Sequence, residues 1–318
     1  MQIFFNIITI SILPIFILIT LGYVMDKRFN LDTNTLTKIH LYLFLPAFAF
    51  VNIYVTDVTF DLVRVIALVS VLLMINFFFS AGLGRLLRFP YKTRKAFENS
   101  VMFYNCGNIG VPLMILMFSS SLFAADGSTR YLEIALSVQV MTLLVQNLAT
   151  NTFGIINSGG EGMNAKKGIM KVFNMPAIYG IALAFLLKPV PFDITTTSIW
   201  QALLFLQQGL IPVALIVLGA QLSKTKIDLK SKTPYIPVVC RLIGGPVIAF
   251  MLIRLFGFEG VMAQAIFVAS STPTAVTCAL ITIEAKGDST FAVQTVTIST
   301  LLSVVTMTAV VYLAYVLF

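Results

Sequence analysis

The chain has 318 residues, of which 58% are hydrophobic and 11% are charged, and its formal net charge is +8. Its mean hydropathy of +0.95 excludes an ordinary water-soluble protein, in which about 25% of residues are charged. The basic residues lie in short loops between apolar segments, so they predict membrane topology and not nucleic-acid binding.

Ten apolar segments come close to the roughly 20 residues that a membrane-spanning helix needs. In chain order, the predicted spans are 3–25, 35–54, 62–83, 97–118, 131–156, 172–187, 198–222, 235–256, 260–283 and 291–316. The first begins without a basic leader or a small-residue cleavage site, which predicts a retained helix and not a removed signal. We therefore predict an all-α polytopic membrane protein with two halves, 1–156 and 172–318, joined by the linker 157–171.

The loops after odd-numbered spans hold 16 Lys and Arg residues, whereas the remaining loops hold 4. Loop Lys and Arg accumulate on the cytoplasmic side, so we expect both termini outside. The basic segment 85–95 also has an apolar side, and it fits either a short interfacial helix or an ordinary positive loop.

The two halves share prolines in the same order, 161 to 166 residues apart. The pairs are Pro14 with Pro176, Pro46 with Pro212, and Pro112 with Pro273. Five spans per half is an odd number, so the second half must enter the membrane from the opposite side. The pattern predicts an inverted repeat.

The fourth span contains residues 105–112, in which Asn105, Asn108, Gly110 and Pro112 stand among apolar neighbours. Two glycines and a proline there predict a broken helix. Broken helices at mid-membrane persist only where they line protein or a wet cavity, and many transporters build their substrate site from them. We therefore predict a substrate site at this break.

The ninth span carries a second set of breakers and hydroxyl groups, namely Ser270, Ser271, Thr272, Pro273 and Thr274. Pro273 predicts a kink or an opening of the helix, and the hydroxyls can bond either the freed carbonyls or a ligand. Two matching breaks favour a shared site, with second half-helices that begin near Val111 and Thr274. The positive ends of those helices suit a carboxylate or another small anion.

No acidic residue lies at mid-depth beside either break, since Glu98 and Glu284 fall near span ends. Proton exchangers usually need such a carboxylate, so the sequence argues against proton exchange. Carbonyls and hydroxyls can hold sodium by themselves, so sodium coupling stays open. The three cysteines form no CxxC or Cys/His cluster, and we expect no metal site and no other cofactor.

Arg241 is the one basic residue well inside a span, and three interpretations stay open: snorkelling, pairing with a carboxylate, or attraction of an anionic substrate. His40 is interpreted as an interfacial residue in preference to a proton relay. Polar stripes in spans five and ten either contact the breaks or, as we favour for most of them, bond neighbouring helices. The stripes are Gln139, Gln146 and Asn147, and Gln294, Thr297 and Ser299.

Three motifs, NCGNIGVPLM (105–114), SSTPTAV (270–276) and STLLS (299–303), resemble the auxin efflux carrier family of membrane transporters, and the resemblance covers the whole chain. It implies ten helices in two inverted five-helix repeats with broken, crossing helices 4 and 9, as in bile-acid symporter and sodium/proton antiporter-like folds. Asn105 and Pro112 correspond to the family's asparagine and proline at the fourth-helix break.

The resemblance also implies a scaffold of helices 1, 2, 6 and 7, which pairs as a homodimer, and transport helices 3–5 and 8–10, which move as an elevator. The short linker is similar to that of compact bacterial members, which are assigned to malonate, malate or related organic anions.

The sequence thus predicts a transporter of small organic anions, such as malonate, malate or auxin-like acids, embedded in the lipid bilayer of the cell (inner) membrane. A sodium-coupled symporter of the same fold and a non-transporting receptor or scaffold are the alternatives. An intramembrane enzyme needs a nucleophile with a base or paired carboxylates at depth, and the sequence shows neither. No GxxxxGK[ST] loop indicates ATP dependence.

Overall fold

The computed structural model describes residues 2–56, 60–123, 129–159, 170, 173–225 and 231–318. Most of the predicted linker and the start of the predicted sixth span, at Val172, lie outside these residues. The helices are α1 (Gln2–Phe29), α2 (Thr33–Val55), α3 (Phe60–Leu86), α4 (Tyr91–Met102), α5 (Cys106–Phe118), α6 (Arg130–Asn157), α7 (Pro176–Leu187), α8 (Ser198–Ser223), α9 (Tyr235–Phe256), α10 (Gly260–Ser270), α11 (Val276–Glu284) and α12 (Ser289–Leu317).

Seven helices in the described part of the chain are long and apolar enough to cross a membrane: α1, α2, α3, α6, α8, α9 and α12. The shorter apolar helices α5, α7 and α10 fall within the predicted fourth, sixth and ninth spans. Every predicted span therefore contains helix, and the prediction of an all-helical, multi-pass membrane protein is confirmed.

Several helix ends follow from local capping. The Asp32 carboxylate accepts hydrogen bonds from the backbone N–H groups of Asn34 and Thr35, at 3.0 and 3.3 Å, and so starts α2. The Asp288 carboxylate accepts from the Phe291 N–H at 3.0 Å and starts α12. Gly257, with φ of 67°, ends α9 in the left-handed conformation that glycine adopts without strain.

The segment 85–95 does not form a separate interfacial helix, so that interpretation is wrong. α3 continues to Leu86 and α4 begins at Tyr91, which leaves only residues 87–90 between them. Arg88 turns the chain there with a positive φ of 53°. The basic side chains of this segment therefore belong to the facing ends of two helices and the turn between them.

A π-helical turn precedes four prolines and ends two residues before each of them. The turns are Ile7–Ile12, His40–Phe44, Cys106–Gly110 and Cys240–Gly244, followed by Pro14, Pro46, Pro112 and Pro246. Proline lacks an N–H and its ring crowds the carbonyl four residues earlier, so the helix widens locally. Pro212 instead lies inside the continuous α8, and Pro176 opens α7. The predicted proline pairs therefore do not occupy equivalent local structures.

The helices pack in two groups. In one, α8 runs along α1 and also contacts α2, while α7 runs along α2. In the other, α4 packs against α3 and α12, and α10 packs against α6 and α9; α5 packs on α6 and α11 on α12 in the same group. Glycine allows α1 and α8 to approach closely: a Cβ at Gly22 would lie 2.3 Å from the Ile216 carbonyl oxygen, and one at Gly219 would lie 1.9 Å from that of Ile19. No larger side chain fits at either position.

Candidate functional site

The two breaks meet at the centre of the second group of helices. α4 ends at Met102 and α10 ends at Ser270, and the extended residues that follow them cross. Tyr104 and Thr274 form an isolated antiparallel bridge. The Asn105 N–H donates to the Pro273 carbonyl at 2.7 Å, and the Ala275 N–H donates to the Phe103 carbonyl at 3.1 Å. The bridge therefore satisfies backbone groups that would be costly to leave open inside a membrane.

The first break lies earlier in the chain than predicted. Gly107 and Gly110 belong to the π-turn at the start of α5, and Pro112 lies just inside the α-helix that continues it, where proline is tolerated. Asn105 is the N-cap of this turn, and its side-chain oxygen accepts from the Asn108 N–H at 3.1 Å. Because the asparagine starts a helix here, the first of the two second half-helices begins at Cys106 and not near Val111, whereas the other begins at Val276, close to the predicted Thr274.

The hydroxyl groups of the second break are turned toward protein carbonyls. The Ser270, Ser271 and Thr272 hydroxyls each donate to the carbonyl three residues earlier, at 2.6, 2.7 and 2.9 Å. The Thr274 hydroxyl donates to the Ser100 carbonyl at 3.0 Å. These side chains are fully buried, so the hydroxyls serve the backbone of the break, one of the two roles that the sequence left open.

A cavity of about 150 Å³ lies beside the first break, between the two groups of helices. α2 and α8 of the first group and α5, α6 and α11 of the second group bound it. Its polar lining consists of Thr37, His40, Tyr104, Asn105, Cys106, Asn108, Gln146, Asn147, Thr150, Gln221 and Thr277. No Asp, Glu, Lys or Arg of the described residues lines it, so this is a neutral polar site.

Four side chains that line the cavity carry buried atoms without a hydrogen-bond partner among the described residues. They are Asn105 through Nδ2, Gln146 through both amide atoms, Gln221 through Oε1, and His40 through Nδ1. Asn105, Gln146 and His40 are 6%, 2% and 5% exposed. Buried polar groups are normally paired, since an unpaired one costs about 1–3 kcal/mol. The wall of the cavity therefore holds both donors and acceptors that lack a partner among the described residues.

The structure separates the predicted site residues into two sets. Asn105 and Asn108 line the cavity. The others are buried within the crossing and do not line it, namely Gly110, Pro112, Ser270, Ser271, Thr272, Pro273 and Thr274. Their place is next to the site, where they shape the two breaks.

The two glutamines predicted as accessory residues are not in the cavity. Gln139 is fully buried, and its Nε2 donates to the Cys106 carbonyl at the start of α5. A Cβ at Gly110 would lie 2.6 Å from that Nε2, so the absence of a side chain at Gly110 leaves room for the Gln139 amide. Gln294 borders a different cavity, together with Thr93 and Asp288. Gln139 therefore holds the first turn of α5, and Gln294 lies away from the crossing.

Arg241 is fully buried and points into the crossing, so the snorkelling interpretation is wrong. Its guanidinium donates to the Val101 carbonyl at 3.0 Å and to the Ser270 carbonyl at 2.5 Å. It also lies 4.7 Å from the centre of the Tyr104 ring. Its partners are thus helix-end carbonyls, and it forms no ion pair with a described carboxylate.

Glu98 lies one turn before the first break but outside the cavity. It is 1% exposed, and its carboxylate pairs with Lys95 at 2.8 Å and with Arg94 at 3.7 Å. No cluster of three or more His, Cys, Asp or Glu that could hold a metal ion occurs among the described residues. The Glu98 carboxylate is therefore engaged by basic residues of its own helix.

The cavity residues that sequence reasoning did not assign to the site include His40, Gln146 and Gln221. His40 is buried inside the protein beside the first break, where it lines the cavity. Gln146 lies two turns after Gln139 on the same face of α6, a spacing that was visible in the sequence. Which of the two reaches the cavity depends on how α5 packs on α6, and the sequence does not reveal that.

Comparison with known families supplies one match. A family model described as membrane transport protein matches residues 7–311, which include both breaks and every residue that lines the cavity. No curated protein matches the chain. The match therefore covers the whole site described above.

Proposed function

The chain belongs to the auxin efflux carrier family of membrane transport proteins, and from this premise we propose that it carries a small organic anion across the cell (inner) membrane. The observation that carries this proposal is the neutral cavity beside the first break, with the unpartnered amide N–H groups of Asn105 and Gln146 in its wall. A carboxylate accepts hydrogen bonds from amide N–H groups without needing a full counter-charge.

The position and the size of the cavity support a small carboxylate. The first turn of α5, Cys106–Asn108, lines it, and the N-terminal end of a helix carries about half a positive charge. A cavity of about 150 Å³ holds a molecule the size of benzene. That volume favours malonate or malate over the larger auxin-like acids.

The location of the cavity between two groups of helices supports an elevator-type cycle. The second group contributes Asn105, Asn108 and Gln146, while α2 and α8 of the first group close the cavity. Movement of the second group along the first would carry the ligand past a fixed wall. Thr37 and His40 lie in the first two turns of α2 and Gln221 in the last turn of α8, so the cavity lies toward the predicted cytoplasmic side.

The packing supports two inverted five-helix repeats. Such a repeat pairs α1, α2, α3, α4–α5 and α6 with α7, α8, α9, α10–α11 and α12. The α1–α8 contact then corresponds to the α7–α2 contact. The α4–α12 contact corresponds to the α10–α6 contact, and the α5–α6 contact corresponds to the α11–α12 contact. All six contacts occur. Packing is thus a better marker of the repeat than the prolines are.

The test is uptake of labelled malonate, malate and an indole acid into proteoliposomes that hold the purified protein, with and without a sodium or pH gradient. We expect uptake of the small dicarboxylates, and loss of that uptake in Asn105→Ala. Asn151→Ala is the matched control, because the Asn151 amide donates to the Asn147 carbonyl in its own helix at 2.9 Å and does not line the cavity.

Full uptake by a folded Asn105→Ala protein would contradict the proposed site. Uptake that depends on a sodium gradient would favour the symporter alternative. Binding of an anion without any uptake would favour a receptor.

A further inference from the structure

The crossing brings the C-terminal ends of two helices together. α4 ends at Met102 and α10 ends at Ser270, and the bridge between Tyr104 and Thr274 holds these ends side by side. The last carbonyls of each helix carry about half a negative charge in total. Two such ends at membrane depth place roughly one negative charge where little water can screen it.

Arg241 contacts both of these ends. One guanidinium nitrogen donates to the Val101 carbonyl of α4 at 3.0 Å, and the other donates to the Ser270 carbonyl of α10 at 2.5 Å. The side chain is 0% exposed, and none of the ion pairs in the described structure includes it. A single positive charge therefore meets two half-charges of the opposite sign.

The sequence makes room for this guanidinium. Arg241 lies in the π-turn Cys240–Gly244 of α9, a widened turn that directs its side chain toward the crossing. A Cβ at Gly245 would lie 1.9 Å from the guanidinium, whereas one at the adjacent Gly244 meets nothing within 4 Å. Gly245 is thus required by the position of Arg241, and Gly244 supplies a matched comparison.

We propose that Arg241 is a built-in cation of the crossing: it neutralises the C-terminal ends of both half-helices and occupies the carbonyls that a bound metal cation would use. The crossing then assembles without sodium, and the transport cycle runs without sodium. Arg241 is a positioning residue, because it touches the helix ends and not the cavity. Only the transport part of this proposal rests on the proposed function.

The first test is thermal unfolding of the purified protein in detergent. We expect the wild-type Tm to be the same in sodium and in choline at equal ionic strength. Arg241→Ala lowers the Tm, and millimolar guanidinium restores it, while urea, a neutral molecule of similar shape, does not. Arg254→Ala is the control, because Arg254 is an exposed residue of the same helix that donates to the Leu317 carbonyl, and guanidinium should leave its Tm unchanged.

Equal rescue by urea, or no rescue by guanidinium, would overturn the proposal, and so would a wild-type Tm that rises in sodium. If Arg241→Ala does not fold, Gly245→Ala displaces the guanidinium while the charge is kept. We expect Gly245→Ala to lower the Tm clearly and Gly244→Ala to change it little. Equal effects of the two substitutions would contradict the placement of Arg241.

The second test is transport. Wild-type uptake should be unchanged when choline replaces sodium. Arg241→Ala should lose uptake by at least roughly tenfold, the value of one hydrogen bond to a charged group, and should regain it with guanidinium but not with urea. Sodium-dependent wild-type uptake would overturn the proposal. If the wild type carries no anion, the proposed function fails, and the thermal results still decide the role of Arg241.

Discussion

The two breaks cross at one point, yet their polar side chains do different things. At the first break, Asn105 uses its side-chain oxygen to cap α5 and leaves its Nδ2 without a partner beside the cavity. At the second break, the hydroxyls of Ser270, Ser271 and Thr272 return to the carbonyls of their own helix end. The first break faces the cavity, and the second one anchors the crossing.

The difference follows from the chemistry of the side chains. A hydroxyl has one hydrogen and can donate it to a carbonyl three residues earlier in its own helix. A carboxamide has two N–H groups and an acceptor oxygen, and one helix end cannot satisfy all of them. An asparagine at a helix break is therefore a better indicator of a ligand site than a serine or a threonine is.

The largest effect is expected for Gln146→Ala, which tests whether the first break faces the ligand. Neither amide atom of Gln146 makes a hydrogen bond of ordinary geometry with a described residue, although the side chain faces the Tyr104 hydroxyl, so the substitution should lower the Tm only slightly. If the amide donates to a carboxylate, its loss should raise KM for uptake roughly ten- to a hundredfold, or about 1.5–3 kcal/mol. Gln139→Ala is the matched control: Gln139 donates to Cys106, so that variant should lose stability. The reverse outcome would contradict the cavity assignment.

The next effect is expected for Gly110→Ala, which tests how tightly the first break is packed from behind. The new Cβ would lie 2.6 Å from Nε2 at the end of the Gln139 side chain, so this side chain must move and give up its hydrogen bond to the Cys106 carbonyl. An unpaired buried group costs about 1–3 kcal/mol, so the Tm should fall. At Gly107 a Cβ would meet Leu143 at an ordinary 3.5 Å, so Gly107→Ala should be milder in thermal unfolding. Equal losses would show that α5 is not held by Gln139.

Much of the fold could be predicted because span length and helix breakers are local properties of the chain. The predicted eighth span, 235–256, coincides with α9, and the second break lies at Pro273 as expected. The position of the first break could not be predicted, since its two glycines lie within a π-turn and Asn105 caps that turn. The cavity lining was harder still, because His40, Gln146 and Gln221 come from three helices whose facing sides depend on long-range packing.

A smaller effect is expected for Ser299→Ala, which tests the anchoring of the second break. The Ser299 hydroxyl of α12 accepts from the Thr274 N–H at 3.2 Å. Its removal leaves a buried donor unpaired, and because this hydrogen bond is long, the cost should be about 1 kcal/mol, the low end of the usual range. We expect a lower Tm with KM for uptake unchanged. A change in KM without a change in Tm would place this break in the ligand site.

The smallest effect is expected for Ser271→Ala, at the centre of the second break. When the hydroxyl is gone, the Val268 carbonyl still accepts a hydrogen bond from the Ser271 backbone N–H at 3.0 Å. No buried group therefore loses its only partner. The change in the free energy of unfolding should stay below about 0.5 kcal/mol, the lower limit of a typical net hydrogen bond. Uptake should also be unchanged, because the hydroxyl faces its own helix end. A large loss of uptake in a stable Ser271→Ala protein would mean that this hydroxyl leaves Val268 for the ligand during transport, and the two breaks would then share the ligand as the sequence first suggested.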